Sequence, residues 1–290
     1  MSETNPGRAV PANPDSTAEL VREYYNRGAQ VEWRRLSKDP YHRLEFETTL
    51  HFLAQYLPES GLVLDAGGGP GRYTLALARR GYELVLLDVA PENIALARRL
   101  IKRAGLRRKV KDTLAGSMVD LSCFPDASFD AVLCTGGPLS HILDAGEREK
   151  AVSELVRVAK PKAPLFVSVI GRLGLLVTEL IQMPEEIALP FFKPMRDSGD
   201  YFGGRGFTAC HFFLPEELQE VFSRQPVEIL AMAGLEGISS HHPRELNRLA
   251  KNETRFAAWL ETHYLTCTHP SVVGLSEHML IVVRKWKRDT

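Results

Sequence analysis

The sequence predicts an α/β protein whose sheet is mainly parallel and carries helices on both faces. Two observations support this class. From residue 62 onward, short apolar runs alternate with helical segments, which is the pattern of repeated strand–helix–strand units. The chain also has 290 residues with 44% hydrophobic content. A chain of this length and composition can bury the large core that such a sheet requires.

Two helical segments are expected before the first strand. Ser16 and Glu19 have the spacing of a capping box, which predicts a helix that continues through Tyr24. A second helical stretch covers residues 44–57, and Pro58 with Gly61 ends it. We therefore expect residues 1–15 to form a disordered tail and residues 16–58 to form a helical cap.

The alternating region begins with the strand LVLDA at residues 62–66. A helix over residues 72–80 and the strand ELVLLD follow, and Pro91 opens a helix that ends near Gly105. Apolar residues at i, i+3, i+4 and i+7 predict a later helix around residues 152–159. The remaining predicted strands of this region are residues 110–115, residues 129–134 and LFVSVI at residues 165–170.

The last third of the chain is less regular. A helix from Pro215, a strand at residues 227–233, a long helix at residues 244–263 and a final strand, HMLIVVRK, are predicted. The segment at residues 171–213 shows no clear periodicity. We expect it to be an insertion after the fifth strand.

Charge and composition argue against several classes of partner. The 36 basic and 36 acidic residues give a net charge of zero, so no general attraction to nucleic acid or to anionic membranes is expected. The most apolar stretch, residues 165–181, is interrupted by Gly171, Arg172 and Gly174 and does not predict a membrane span. The N-terminus does not resemble a secretion signal. Four widely spaced cysteines suit a reducing compartment, so a cytoplasmic location is expected.

The stretch VLDAGGGPGRYT carries the main functional signal. Its glycines have the spacing Gly67-x-Gly69-x-Gly71, and Asp65 precedes them at the end of a strand. An NAD-binding G-x-G-x-x-G motif would need its third glycine where this chain has Arg72. A phosphate-binding loop would end in Gly-Lys-Ser/Thr, which is also absent from this stretch.

This pattern resembles the first motif of the class I S-adenosylmethionine-dependent methyltransferases, which is a hydrophobic strand, an acid and G-x-G-x-G. A second landmark lies in register, because the strand ELVLLDVAP ends in Asp88. The resemblance covers residues 62–170. It implies a Rossmann-like sheet of seven strands in the order 3-2-1-4-5-7-6, with the last two strands forming an antiparallel edge. It also implies S-adenosyl-L-methionine as the cofactor.

Physical chemistry is consistent with the implied contacts. A carboxylate such as Asp88 can accept hydrogen bonds from both hydroxyls of a ribose, and glycines allow the backbone to approach a ligand closely. Family members often carry Gly-Asp after the third strand, where this chain has Gly116-Ser117. Ser117 is a possible hydrogen-bond partner for adenine. The predicted cofactor-binding residues are Asp65, Gly67, Gly69, Gly71, Asp88, Val89, Ser117, Met118, Val119, Thr135 and Gly136.

The loop after the fourth strand, CTGGPLSHI, should border the transferred methyl group, because ligands bind outside the carboxyl ends of parallel strands. It differs from the Asn/Asp-Pro-Pro-aromatic motif of enzymes that methylate nucleobases. Asp144 stands alone near this loop, so no metal site is predicted. His141 is the first candidate base and His211 the second. A structural role for each histidine remains an open alternative.

We interpret the chain as a methyltransferase domain over residues 59–290, with residues 171–213 as a substrate cap and small molecules as acceptors. Oxygen and nitrogen acceptors remain open, as do a monomer and a homodimer. Two alternatives are an NAD-type oxidoreductase and a non-catalytic regulatory protein that binds the cofactor. The aromatic residues expected to line the acceptor pocket are Tyr24, Tyr25, Trp33, Tyr201, Phe202 and Phe207.

Overall fold

The computed structural model describes residues 14–204 and 206–286, with side chains from Thr17 onward. Most of the predicted N-terminal tail, residues 1–13, lies outside the described residues. Arg205, within the glycine-rich stretch Gly203 to Gly206, also lies outside them.

A seven-stranded sheet forms the centre of the protein, and a separate two-stranded hairpin lies beside it. In chain order the strands are β1 (Leu62–Ala66), β2 (Glu83–Asp88), β3 (Val110–Ala115), β4 (Ala131–Cys134), β5 (Pro164–Ile170), β6 (Asp200–Tyr201), β7 (Cys210–His211), β8 (Val227–Gly234) and β9 (His278–Lys285). The order in the large sheet is β3-β2-β1-β4-β5-β9-β8, and β9 pairs antiparallel with both β5 and β8. This confirms the predicted strand order 3-2-1-4-5-7-6. The predicted sixth and seventh strands are β8 and β9, because the hairpin strands β6 and β7 precede them in the chain.

Helices cover the sheet and extend beyond it. They are α1 (Pro14–Arg35), α2 (Pro40–Tyr56), α3 (Arg72–Arg79), α4 (Pro91–Arg103), α5 (Ala145–Val158), α6 (Arg172–Gln182), α7 (Phe192–Asp197), α8 (Pro215–Ser223), α9 (Pro243–Leu249), α10 (Glu253–Thr266) and α11 (Pro270–Val273). Local chemistry explains where several begin. Pro91 occupies the first turn of α4, and the Asp144 carboxylate caps α5 by accepting a 2.9 Å hydrogen bond from the Glu147 amide.

The central strands are buried on both faces. Along β4, Val132 packs into one hydrophobic cluster and its neighbour Leu133 into another on the opposite face. Ile281 and Val282 of β9 alternate in the same way. Successive side chains of a strand point to opposite faces, so continuous apolar runs in these strands require helices on both sides.

Two helical predictions differ from the structure. The helix expected at residues 244–263 is divided into α9 and α10, because Asn252 caps α10 by accepting a 3.0 Å hydrogen bond from the Arg255 amide. The first helix, predicted through Tyr24, extends further and ends at Arg35. Within the unassigned segment at residues 171–213, the structure contains α6, α7 and the hairpin β6-β7.

Helix α1 packs against α4 and lies beside the carboxyl ends of the parallel strands. The side-chain oxygen of Asn26 accepts a 3.1 Å hydrogen bond from the Glu92 amide. The Arg72 guanidinium stacks over the Trp33 ring at 4.1 Å from its centroid and donates to the Trp33 carbonyl. Among the described residues, no helix combines the length and apolarity that crossing a bilayer demands.

Candidate active site

The glycine loop forms a tight turn between β1 and α3. Gly67, Gly69 and Gly71 have φ angles of 71°, 56° and 83°, which favour glycine over residues with a side chain. A Cβ atom on Gly67 would also lie 2.5 Å from the Pro138 side chain. Both conformation and space therefore require glycine at this position. The loop can present its backbone directly to a ligand.

The Asp88 carboxylate joins this loop to the end of β2. One oxygen accepts a 2.8 Å hydrogen bond from the Gly69 amide. The other oxygen accepts from the Ala90 amide at 2.9 Å and from Asn93 Nδ2 at 3.0 Å. Asp88 is only 6% exposed, and burial raises the pKa of its carboxyl group. It thus holds the loop in shape and also lines a cavity.

Asp65 lies beneath the loop and is fully buried. One of its oxygens accepts hydrogen bonds from the Thr74 amide at 3.1 Å and the Thr74 hydroxyl at 2.6 Å. Burial raises the pKa of Asp65 to about 6. The contacts of Asp65 stabilise the first turn of α3. A direct contact with the cofactor remains a prediction for this residue.

A cavity of about 370 Å³ opens at the carboxyl ends of β1, β2 and β4. Of the predicted cofactor-binding residues, the structure brings nine to this cavity: Gly67, Gly69, Asp88, Val89, Ser117, Met118, Val119, Thr135 and Gly136. Asp65 and Gly71 do not line it. Both lie in the turn that shapes the cavity wall.

Helix α1 contributes part of the cavity wall that sequence reasoning did not assign. Its lining residues include Thr17, Val21, Glu32 and Arg35. The Arg35 guanidinium pairs with Glu32 at 3.0 Å and with Glu45 at 2.5 Å. Because these residues lie far from the glycine motif in sequence, no local pattern connects them with the site. Asn93 of α4 is a further lining residue of this kind.

The cavity is suitable for the predicted cofactor. Two observations support the fit. A Cβ atom placed on Gly69 would meet nothing closer than the Glu32 side chain at 3.7 Å, so the space above the loop is open. Thr135 is buried at the cavity wall, and its hydroxyl has no hydrogen-bond partner among the described residues. Open space beside glycines and an unsatisfied hydroxyl are features that a polar ligand can use.

His141 lies at the rim of this cavity with both ring nitrogens engaged. Its Nδ1 is 3.0 Å from the Ala209 carbonyl oxygen, so Nδ1 carries the proton that it donates. Its Nε2 is 2.6 Å from the Tyr25 hydroxyl and therefore accepts from it. Burial lowers the pKa of His141 below its usual value of 6.5, which favours the neutral ring. The geometry is that of a base with a fixed tautomer, and sequence reasoning did not identify Tyr25 as its partner.

His211 has a different environment. It is 6% exposed, and its Nδ1 lies 2.7 Å from the Asp200 carboxylate within the hairpin β6-β7. Its ring packs edge-on against Phe213. His211 lines neither of the two cavities described here. Its position therefore supports the structural alternative.

A second cavity, of about 810 Å³, adjoins the first. The residues that line both are Tyr25, Glu32, Arg35 and Gly136. Its walls come from α1, α2, α6, α7 and the hairpin β6-β7, and they include several aromatic side chains: Tyr24, Tyr25, Tyr41, Phe191, Tyr201, Phe207 and Phe212. Four of the six aromatic residues predicted for the acceptor pocket line this space. Trp33 and Phe202 do not.

A buried ion-pair cluster lies in the wall of the second cavity. The ligand atoms of Glu45, Glu236 and His278 are all within 4.8 Å of one another, a spacing that a metal ion could use. Arg35, however, neutralises Glu45. Burial lowers the pKa of His278, but the carboxylates of Glu45 and Glu236 more than offset this effect and raise it to about 9. A protonated imidazole cannot ligate a metal, so we interpret the cluster as a network of ion pairs.

Comparison with known proteins agrees with this geometry. Residues 63–162 match a family model described as a methyltransferase domain. The ubiquinone biosynthesis O-methyltransferase of Xylella fastidiosa (strain 9a5c) is 35% identical over 134 residues, which cover 46% of this chain and 51% of that protein. The chain thus spans about half the length of the curated relatives it matches.

Solved structures resemble a larger part of the chain. A SAM-dependent methyltransferase from Methanosarcina mazei has a TM-score of 0.58 at 22% identity, covering 82% of this chain and 98% of that one. The 1,6-didemethyltoxoflavin-N1-methyltransferase of Burkholderia thailandensis, solved with 1,6-didemethyltoxoflavin and S-adenosylhomocysteine, has a TM-score of 0.58 at 17% identity. That likeness covers 97% of this chain and 94% of the other. These structures share the fold described above.

Proposed function

We propose that this chain, whose residues 63–162 match the model of a methyltransferase domain, is a class I S-adenosylmethionine-dependent methyltransferase that methylates an oxygen or nitrogen atom of a small molecule. One observation carries the proposal. The cavity formed by the glycine loop and Asp88 opens at Tyr25, Arg35 and Gly136 into a larger cavity with aromatic walls. A cofactor site and an acceptor site that meet in this way are what methyl transfer requires.

We assign the first cavity to S-adenosylmethionine. The backbone at Gly67 and Gly69 would hold the amino-acid part of the cofactor, Asp88 the ribose, and Ser117 with Met118 the adenine. When bound, this cofactor supplies an electrophilic methyl group on a sulfonium sulfur. The remaining requirements, which are alignment, exclusion of water and removal of the acceptor proton, depend on residues of this chain.

We assign the removal of the acceptor proton to Tyr25 and His141. The Ala209 carbonyl fixes the proton on Nδ1 of His141, which leaves the Nε2 lone pair directed at the Tyr25 hydroxyl. The Tyr25 oxygen can accept a proton from an acceptor hydroxyl or amine while its own proton moves to Nε2. The proton then resides on His141, and the acceptor atom would carry the methyl group in place of the proton that it lost.

Helix α1 contributes contacts to both cavities, which supports the cap assigned to residues 16–58. The walls from α6, α7 and β6-β7 likewise support a substrate cap within residues 171–213. We propose that the protein acts in the cytoplasm as a monomer or homodimer, without a nucleic-acid or membrane partner. Gel filtration with light scattering checks the oligomeric state.

Calorimetric titration of the purified chain tests the function. We expect binding of S-adenosylmethionine and S-adenosylhomocysteine but not of NAD, because Arg72 occupies the place of the third glycine of an NAD site. Release of S-adenosylhomocysteine with a panel of phenols and amines then separates an enzyme from a non-catalytic binding protein. Binding of NAD alone would support the oxidoreductase alternative.

A further inference from the structure

Glu179 of α6 is a buried carboxylate in the wall of the second cavity. Its side chain is 4% exposed, and the oxygen Oε2 has no hydrogen-bond partner among the described residues. A buried carboxylate without a partner is unfavourable, because burial removes water without replacing its hydrogen bonds. Burial and the neighbouring Glu186 and Glu185 all raise the pKa of Glu179. Among the described residues, no positive charge contributes to the pKa of Glu179.

Other charged groups of the cavity wall already have partners. Arg35 pairs with Glu45, and His278 lies 2.8 Å from Glu236. In a similar way, Glu277 lies 3.3 Å from His241 Nδ1. Arg27, also in the wall, pairs with Glu23 at 2.9 Å. Among the described residues, Arg27, Arg35 and His278 of this wall therefore already pair with carboxylates other than Glu179.

The surroundings of Glu179 are suited to an organic cation. Aromatic side chains make up much of the wall, and rings attract ammonium groups through their π faces. A cavity whose wall contains both a carboxylate and aromatic rings can bind a protonated amine. The wall residues of this kind are Tyr24, Phe191, Tyr201, Phe207 and Phe212.

Glu179 lies in the second half of α6, away from the start of the helix. The helix begins at Arg172, two residues after Ile170, which lines the cavity and lies close to Gly137. Glu179 is seven residues farther along, which corresponds to about 10 Å at 1.5 Å per residue. Leu175, Thr178 and Gln182 also line the cavity, so α6 runs along its wall.

We propose that the acceptor carries a protonated amine that binds Glu179 in the second cavity. This inference rests on the proposed function, because it assumes that the acceptor end lies at Tyr25. It assigns the amine a binding role, and the methylated atom is a separate group at the other end of the molecule.

Two probes that differ in one group test the inference. They are 4-(4-aminobutyl)phenol, which is cationic, and 4-(4-hydroxybutyl)phenol, which is neutral and of similar length. Binding of each to the full chain is measured by calorimetry, with and without S-adenosylhomocysteine. We expect the wild-type protein to prefer the amine at least about tenfold, since a charge-assisted bond replaces a neutral one.

The Glu179→Gln variant should lose this preference while it binds the neutral alcohol as before. Glu185→Gln, a change of the same type at an exposed neighbour, is the control and should keep the preference. Equal binding of both probes to the wild-type protein, or no binding of either, overturns the inference. A preference that persists in Glu179→Gln also overturns it. If Glu179→Gln does not fold, the wild-type comparison alone decides.

Binding of S-adenosylhomocysteine to the same proteins reports on the proposed function separately. Wild-type protein that binds S-adenosylhomocysteine but shows no preference for the amine contradicts only this inference. Wild-type protein that binds neither S-adenosylmethionine nor S-adenosylhomocysteine contradicts the proposed function instead.

Discussion

The Tyr25 hydroxyl lies 2.6 Å from Nε2 of His141, although 116 residues separate the two in the chain. Their rings meet nearly edge-on, with centroids 5.1 Å apart. Tyr25 comes from α1 and His141 from the loop after β4, so the pair forms only when the cap lies over the sheet. Helix α1 therefore completes the candidate base and also lines both cavities.

Substitution of either member of this pair should slow catalysis. We expect Tyr25→Phe and His141→Asn each to lower kcat on the order of a hundredfold, which is typical for loss of a general base. The double variant should be little worse than either single variant, because the two residues act as one unit. Tyr264→Phe, at a tyrosine that lines neither cavity, is the matched control. Multiplicative effects of the two substitutions would show that the residues act separately.

The pH dependence of turnover should follow the ionisation of His141. Burial lowers the pKa of this ring below 6.5, so the neutral form should prevail at pH 7. We expect kcat to fall only below about pH 6.5 and to remain level from there to pH 8. A pH–rate profile with an acid limb centred above pH 7 would be inconsistent with this assignment.

Replacement of Asp88 should weaken cofactor binding. Asp88→Ala removes the proposed ribose acceptor as well as the bonds to the Gly69 and Ala90 amides, so affinity for S-adenosylhomocysteine should fall at least about tenfold. Asp88→Asn should be intermediate. The exposed Asp112 of β3 provides a control, Asp112→Ala, which should bind normally. Calorimetry measures the affinities, and wild-type affinity in folded Asp88→Ala protein would refute the assignment.

Because of the ion-pair cluster, the free energy of unfolding should decrease as the pH rises into the alkaline range. Because the pKa of His278 in the folded state is raised to about 9, its stabilising effect is complete below pH 6.5 and disappears as the pH rises through 9. A shift of this size corresponds to roughly 3 kcal/mol. The stability difference between wild type and His278→Gln should therefore shrink across this window. Urea unfolding at several pH values measures it.

The exposed His242 serves as the control for that experiment. His242→Gln should keep the wild-type dependence of stability on pH. A constant difference between wild type and His278→Gln from pH 6.5 to pH 9 would show that His278 does not change its charge in this range.

The sequence by itself determined the sheet and the loop that marks its functional edge. Strands such as β1 and β2 are buried on both faces, so their apolar runs are continuous and bounded by glycine and proline, which makes them readable from local pattern. The φ angles of Gly67 and Gly69 explain why these glycines occur where they do. The residues that directly follow β1 and β2 in the sequence were therefore predicted to face a ligand.

Only the tertiary structure decided what surrounds that edge. Glu32, Arg35 and Glu179 lie on helices whose polar residues resemble those of any solvent-exposed face, and nothing in their spacing indicates a shared cavity. Likewise, the hairpin β6-β7 brings the Asp200 carboxylate beside His211, and its strands of two residues each are too short to show periodicity. These contacts depend on long-range packing. Burial and distant partners determine the pKa of a titratable group, and the local sequence shows neither of them.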